Sequence, residues 1–123
     1  MAQVTAPPGW PREVRPPAVP GWEESAATWL LDVGPPEFRE YAVLRRHAVV
    51  LASFAVVHTE ATLEAARRAL GVASTRLRDF VAPETVEEAV VAWEREIARL
   101  VARRRAVDLV EQALRGRQFR PRL

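Results

Sequence analysis

The chain contains no cysteine, and all 18 of its basic residues are arginine, with no lysine. Without cysteine there is no disulfide framework, no thiolate metal site and no cysteine nucleophile. The missing lysine, beside abundant alanine and valine, reads as genome composition rather than function. No Gly-rich phosphate loop, GxSxG elbow or dinucleotide-binding turn occurs. The only histidines are His47 and His58. On one helix they would lie about three turns, ~16 Å, apart, too far to share a metal. Neither belongs to a ligand spacing such as HExxH. Glu37 with Glu40, and Glu60 with Glu64, are spaced as charges on a helix face, not as an acid–base pair. The expectation is a protein that is not an enzyme, with no catalytic residue, no metal and no cofactor.

A large charge of one sign is also missing. Sixteen acidic residues offset the arginines, and the formal net charge is +2. The calculated pI near 10.3 reflects the high pKa of arginine more than an excess of positive charge. Long apolar runs are few. The longest, 48–57, is interrupted only by Ser53, is flanked by Arg45, Arg46 and His47, and is too short to cross a bilayer. Proline and charge occupy the N-terminus, where a signal peptide carries an apolar stretch. A soluble, cytoplasmic protein with no membrane association is expected.

What the chain does have is a seven-residue apolar repeat. Backwards from Leu77 it runs through Leu70, Leu63, Val56 and Val49; forwards from Val86, through Trp93, Leu100, Val107 and Leu114. Such a repeat keeps one seam of each helix facing a partner. The two series mirror each other about a point between Val81 and Ala82. This predicts a long antiparallel hairpin over 41–114, with Leu77 level with Val86 and Leu63 level with Leu100. Pro83 suits the first position of the returning helix, and Glu84, Glu87 and Glu88 suit the positive end of its dipole. Ala73 opposite Val90 and Ala66 opposite Ile97 set small residues against large ones.

Residues 22–33 predict a short amphipathic helix with Trp22, Ala26, Trp29, Leu30 and Val33 on one face, stopped by Gly34 and Pro35. The stretch 49–57 is apolar nearly all round, which predicts cover on more than one side by this helix and the arm before it. Gly71 lies inside the hairpin and marks a close approach, a mild kink or tolerated drift. Gly116 is placed to cap the last helix, with Phe119 able to fold back on it.

Residues 1–21 carry six of the ten prolines and favour extended polyproline-type chain. Within them Pro8-Gly9-Trp10 is repeated as Pro20-Gly21-Trp22. Tryptophan is rare in free tails. Trp10 and Trp22 are therefore expected to anchor the arm on the hairpin, with a proline-rich ligand for a partner as the alternative. The fold class is all-α: a long antiparallel helical hairpin, a short N-terminal helix, and a Pro/Trp-rich arm packed on it. The organisation is a Pro-rich arm at 1–21, a single helical domain at 22–116 and a basic tail at 117–123.

The hairpin seam is interrupted by polar residues. Arg104 and Glu111 fall level with Thr59 and Ala52, so His58, Thr59, Arg104 and Glu111 form a candidate polar layer. Its expected role is to fix register, with a small ligand pocket as the alternative. His58 is within reach of Asp108 or Glu111. The C-terminal third is basic: residues 99–123 hold eight arginines and two acids. Arg103, Arg104, Arg105, Arg115 and Arg117, with Trp10 and Trp22, are the candidate interaction residues. Three adjacent arginines point in three directions on a helix and make no clean phosphate-binding stripe.

The phrases Pro20-Gly21-Trp22-Glu23, Val43-Leu44-Arg45-Arg46-His47 and Leu114-Arg115-Gly116-Arg117 resemble those of small uncharacterised helical proteins of actinobacteria. The resemblance implies a bacterial cytoplasmic protein and carries no activity or site residue. The functional expectation is a helical interaction protein, an adaptor or a self-associating one, bound to a protein partner or to itself. The alternative is a nucleic-acid-binding accessory protein that uses the arginine-rich C-terminal third.

Overall fold

The computed structural model describes residues 6–116. The described residues are all-α, with no strand among them. Helix α1 spans Trp22–Val33, a 3₁₀ segment spans Pro36–Glu40, and α2 spans Ala42–Arg46. The hairpin follows as α3, Ala48–Leu77, and α4, Pro83–Leu114. The two long helices pack against each other along their lengths. At 30 and 32 residues they are about 45 Å and 48 Å long.

The arm departs from the extended form expected for it. It is a succession of tight turns, closed by backbone bonds from Trp10 to Pro7 (3.0 Å), Val14 to Pro11 (3.2 Å), Val19 to Pro16 (3.1 Å) and Trp22 to Val19 (3.0 Å). The repeated Pro-Gly-Trp phrase is one such turn used twice. Proline presets φ at the second position, and Gly9 (φ 92°) and Gly21 (φ 81°) take the left-handed third position that a type II turn requires. Ala18 (φ 72°) fills the same position in the turn between them. The turns fold the arm back onto the domain and bury Pro7, Pro11 and Val14.

Helix α1 buries Ala26, Trp29 and Leu30, the face its spacing predicts, with Glu23 and Glu24 in its first turn. It ends where the Gly34 N–H bonds the Leu30 carbonyl. The expected continuous second helix is broken at His47 (φ −128°, ψ 96°), although neither glycine nor proline marks the spot. The break lets α2 leave the α3 axis and bury Leu44, which is 1% exposed.

The hairpin register is the mirrored one. Leu63, Ala66 and Leu100 form one cluster, with Trp93 and Ile97 packed on it. The turn lies at 78–82, and Pro83 is the first residue of α4. A second, larger cluster fills the open end, where Val14, Leu30, Leu44, Leu51, Val107 and Val110 meet. The domain is thus thick at the open end and thin at the loop.

One expectation about cover fails. Val49 is not a seam residue in the folded chain, because it is 36% exposed. Its intended partner, Leu114, packs instead with the open-end cluster. The stretch 49–57 is covered on more than one side, as expected, by α4, by α1 and by Val14 of the arm, but Phe54 is 45% and Val57 65% exposed. Helix α1 covers one flank of α3 and leaves the face opposite α4 bare.

Candidate functional site

The bare face of α3 is the feature that solvent alone does not explain. At 100° per residue, Leu51, Ala55, Thr59 and Leu63 point toward the core, and Phe54, Val57 and Ala61 point away from it. All three of the latter are exposed. One border of this stripe is built. The Phe38 ring, brought in by the 3₁₀ segment, stands edge-on to Phe54 (centroids 5.7 Å) and to His58 (6.0 Å). By length and composition alone α3 is apolar enough to cross a membrane, with a mean hydropathy of 1.3 over 18 residues. Only 28% of that window is buried within the fold. The stripe has shape from its ring border and apolar content from its valine and phenylalanine, with His58 at its rim.

Glycine 71 belongs to the same helix and is exposed, and a Cβ built on it meets nothing within 4 Å. No chain segment makes a close approach there, and its presence is unrelated to packing within the fold.

The three consecutive arginines do diverge. Arg104 crosses the hairpin to bond Glu60 at 2.7 Å. Arg105 reaches the arm and donates to the Pro8 carbonyl at 3.1 Å, beneath Gly9. Arg103 is half-buried. Desolvation, helped by the nearby Arg99 charge, pulls its pKa below the ordinary arginine value, and Glu96 opposes the shift. Arg99 itself is raised, chiefly by its hydrogen bond to Glu96. Arg115 lies 3.7 Å from Glu111 in its own helix. Arg117 lies outside the described residues, as does Phe119. Among the described residues of this region, Arg99, Arg104, Arg105 and Arg115 have partners within the fold.

The four residues of the candidate polar layer are not brought together. The Thr59 hydroxyl is buried and donates to the Ala55 carbonyl one turn back, at 2.7 Å. His58 turns outward to Phe38 rather than toward Asp108 or Glu111. Arg104 is held at the surface by Glu60, while the Glu111 side chain is only 19% exposed and lies 3.7 Å from Arg115. A long, flexible side chain at a seam position can leave the seam, as Arg104 does. An open cleft of about 410 Å³ lies beside it, with Leu63, Val101 and Leu109 as its apolar floor and Arg67, Arg104 and Arg105 among its lining. Thr59 and Glu111 take no part in that lining. Among the described residues, no group of three His, Asp or Glu side chains is placed to hold a metal ion.

Trp10 and Trp22 do come together, with ring centroids 6.1 Å apart, and both pack on the open-end core. They hold the arm down. Sequence reasoning misses Phe38, Phe54, Val57 and Ala61, because a helix apolar all round reads as a covered one. The spacing of Phe54, Val57 and Ala61, at i, i+3 and i+7, is the available signal of a separate face.

Comparison with protein-family models, curated proteins and solved structures finds no match for this chain.

Proposed function

We propose that the protein is a non-enzymatic helical interaction protein, an adaptor or self-associating module, that receives a protein partner on the outer face of α3. The observation that carries this reading is the exposed apolar stripe at Phe54, Val57 and Ala61, which solvation alone does not favour. Residues of this kind, rimmed by polar side chains, are what the centre of a protein interface is made of. Phosphate recognition by the C-terminal third finds less support. Arg104, Arg105 and Arg115 are occupied by Glu60, the Pro8 carbonyl and Glu111.

The test is a photo-crosslinking amino acid placed at position 57 in the intact chain, in the cells that make it. A discrete protein adduct is expected at 57 and none at the exposed position 87 on the acidic half of α4. No adduct at 57 would defeat the proposal.

A further inference from the structure

The open cleft beside Arg104 is a site of a different kind from the α3 stripe. Its floor is Leu63 of α3 with Val101 and Leu109 of α4, and its lining carries Arg67, Arg104 and Arg105 against one carboxylate, Asp108. We propose that it binds a small anionic amphiphile from solution: one carboxylate or phosphate head on an alkyl or aryl body. The body lies on the floor, and the arginines, Arg67 first among them, take the head.

Helix periodicity builds the cleft. Val101, Arg104, Arg105, Asp108 and Leu109 fall at i, i+3, i+4, i+7 and i+8 of α4, a single face. Ala106, Val107 and Val110 are buried on the other side, in the open-end core. Leu63 and Arg67, one turn apart on α3, close the cleft from across the hairpin. Its volume of about 410 Å³ falls within the roughly 300–1,000 Å³ of small-molecule sites. Val101 is 44% exposed, an apolar side chain left to water between charged neighbours.

The arginines have donors to spare. Arg104 and Arg105 each bond an internal acceptor, Glu60 and the Pro8 carbonyl, through Nη2 alone. A guanidinium carries five N–H groups, so Nη1 and Nε stay available on both. Among the described residues Arg67 forms no ion pair. An anionic head gains charge-assisted bonds here that a neutral or cationic head does not. The acids next door limit the ligand's length. Glu60 and Glu64 line an adjoining depression that shares Leu63, Arg67 and Arg104 with the cleft. A nucleic-acid strand or an acidic peptide laid along the hairpin would run its next charge onto these carboxylates, and like charges set together oppose binding. A single head on an apolar body avoids them.

The probe is decanoate, titrated below its micelle concentration into the full chain and followed by backbone-amide NMR. Its twelve or so non-hydrogen atoms support a dissociation constant on the order of 1 mM. Shifts are expected at Leu63, Arg67, Val101 and Leu109. Acetate, the head alone, and decyltrimethylammonium, the same chain with a cation, should each bind about tenfold more weakly or worse. Arg67→Glu should weaken decanoate about tenfold. Arg78→Glu makes the same charge change at the exposed loop and should leave binding unchanged. Val101→Asn should weaken it through the floor. Arg67 and Val101 are both exposed, so neither variant disturbs the core.

Decyltrimethylammonium that binds as tightly as decanoate removes the role of the arginines, and the proposal with it. Shifts centred on Phe54 and Val57 overturn it by placing the chain on the α3 stripe. Equal weakening by Arg67→Glu and Arg78→Glu overturns it as unspecific charge attraction, and full binding by Val101→Asn removes the floor. Association with phosphatidylglycerol–phosphatidylcholine vesicles in place of monomeric decanoate overturns it in favour of a lipid surface. The photo-adduct at 57 reports on another face, so the protein-partner reading stands or falls separately.

Discussion

The indole of Trp10 lies against that of Trp22, with centroids 6.1 Å apart and planes tilted by 53°. The Trp10 ring N–H donates to the Val14 carbonyl at 2.9 Å, so its polar edge is satisfied while its face packs. Each ring occupies the fourth position of a Pro-Gly turn. The two turns therefore aim both rings at one place and tie the arm to the start of α1. Within the arm, Arg15 spans the gap by donating to the Pro20 carbonyl at 2.8 Å.

The turn geometry makes an asymmetric prediction. Gly21→Ala forces a side chain into φ 81° and should cost about 1–2 kcal/mol. Ala18→Gly relieves the same strain at φ 72° and should stabilise by about 0.5–1 kcal/mol. Urea unfolding of the two variants checks both signs. A stabilised Gly21→Ala would mean that the turn is not formed in solution.

The hairpin was legible because its information is periodic. Ten apolar residues at sevenfold spacing, mirrored about Val81 and Ala82, specify both the pairing and the register, and Leu63 does meet Leu100. Helix α1 was legible for the same reason, through Ala26, Trp29 and Leu30. Four features were not. The break at His47 depends on where Leu44 can be buried, a tertiary choice without a local signature. The arm's proline content suggested an extended chain, yet the Pro-Gly pairs at 8–9 and 20–21 were turn signals in plain view. Arg104 and Glu111 at seam positions suggested a layer of buried charge, but Arg104 is long enough to reach Glu60 at the surface and escapes burial. The stripe at Phe54 and Val57 was hidden by the same property that creates it: residues 49–57 are apolar on every side, so periodicity alone does not say which side is left uncovered.

Gly71 is a site of easy gain. It is helical and exposed, and a Cβ there meets nothing within 4 Å. Gly71→Ala should stabilise the protein by about 1 kcal/mol through helix propensity alone. The expected reading is a higher urea midpoint with an unchanged slope. A loss of stability would imply that the position is contacted by something outside this chain.

Glu96 sets a small acid-side dependence. Its pKa is lowered first by the hydrogen bond from Arg99, one component of which is 3.0 Å long. A carboxylate whose folded pKa lies below its unfolded one adds stability above the unfolded pKa. That contribution fades as pH falls through the folded pKa. In Arg99→Ala the Glu96 carboxyl should titrate back in the ordinary glutamate range, followed by carboxyl NMR. An unmoved titration in that variant would show that the hydrogen bond is not its cause.

Two cross-hairpin pairs, about one turn apart, should behave in opposite ways. Leu63 and Leu100 are 2% and 3% exposed and share one cluster. Glu60 and Arg104 are bonded at 2.7 Å with side chains 49% and 47% exposed. Truncating either leucine to alanine removes buried methyl groups and leaves a cavity, at about 2–5 kcal/mol. Because the two cavities merge, the double variant should cost less than the sum, with a coupling of about 0.5–3 kcal/mol. The ion pair stands in water, and its coupling should stay under about 1 kcal/mol. Salt discriminates between them: the Glu60–Arg104 coupling should vanish near 1 M NaCl, where screening acts over about 3 Å, while the leucine coupling persists. Double-mutant cycles by urea unfolding at low and high salt measure both. A leucine pair with additive losses would place Leu63 and Leu100 in separate environments and remove the mirrored register on which the hairpin rests.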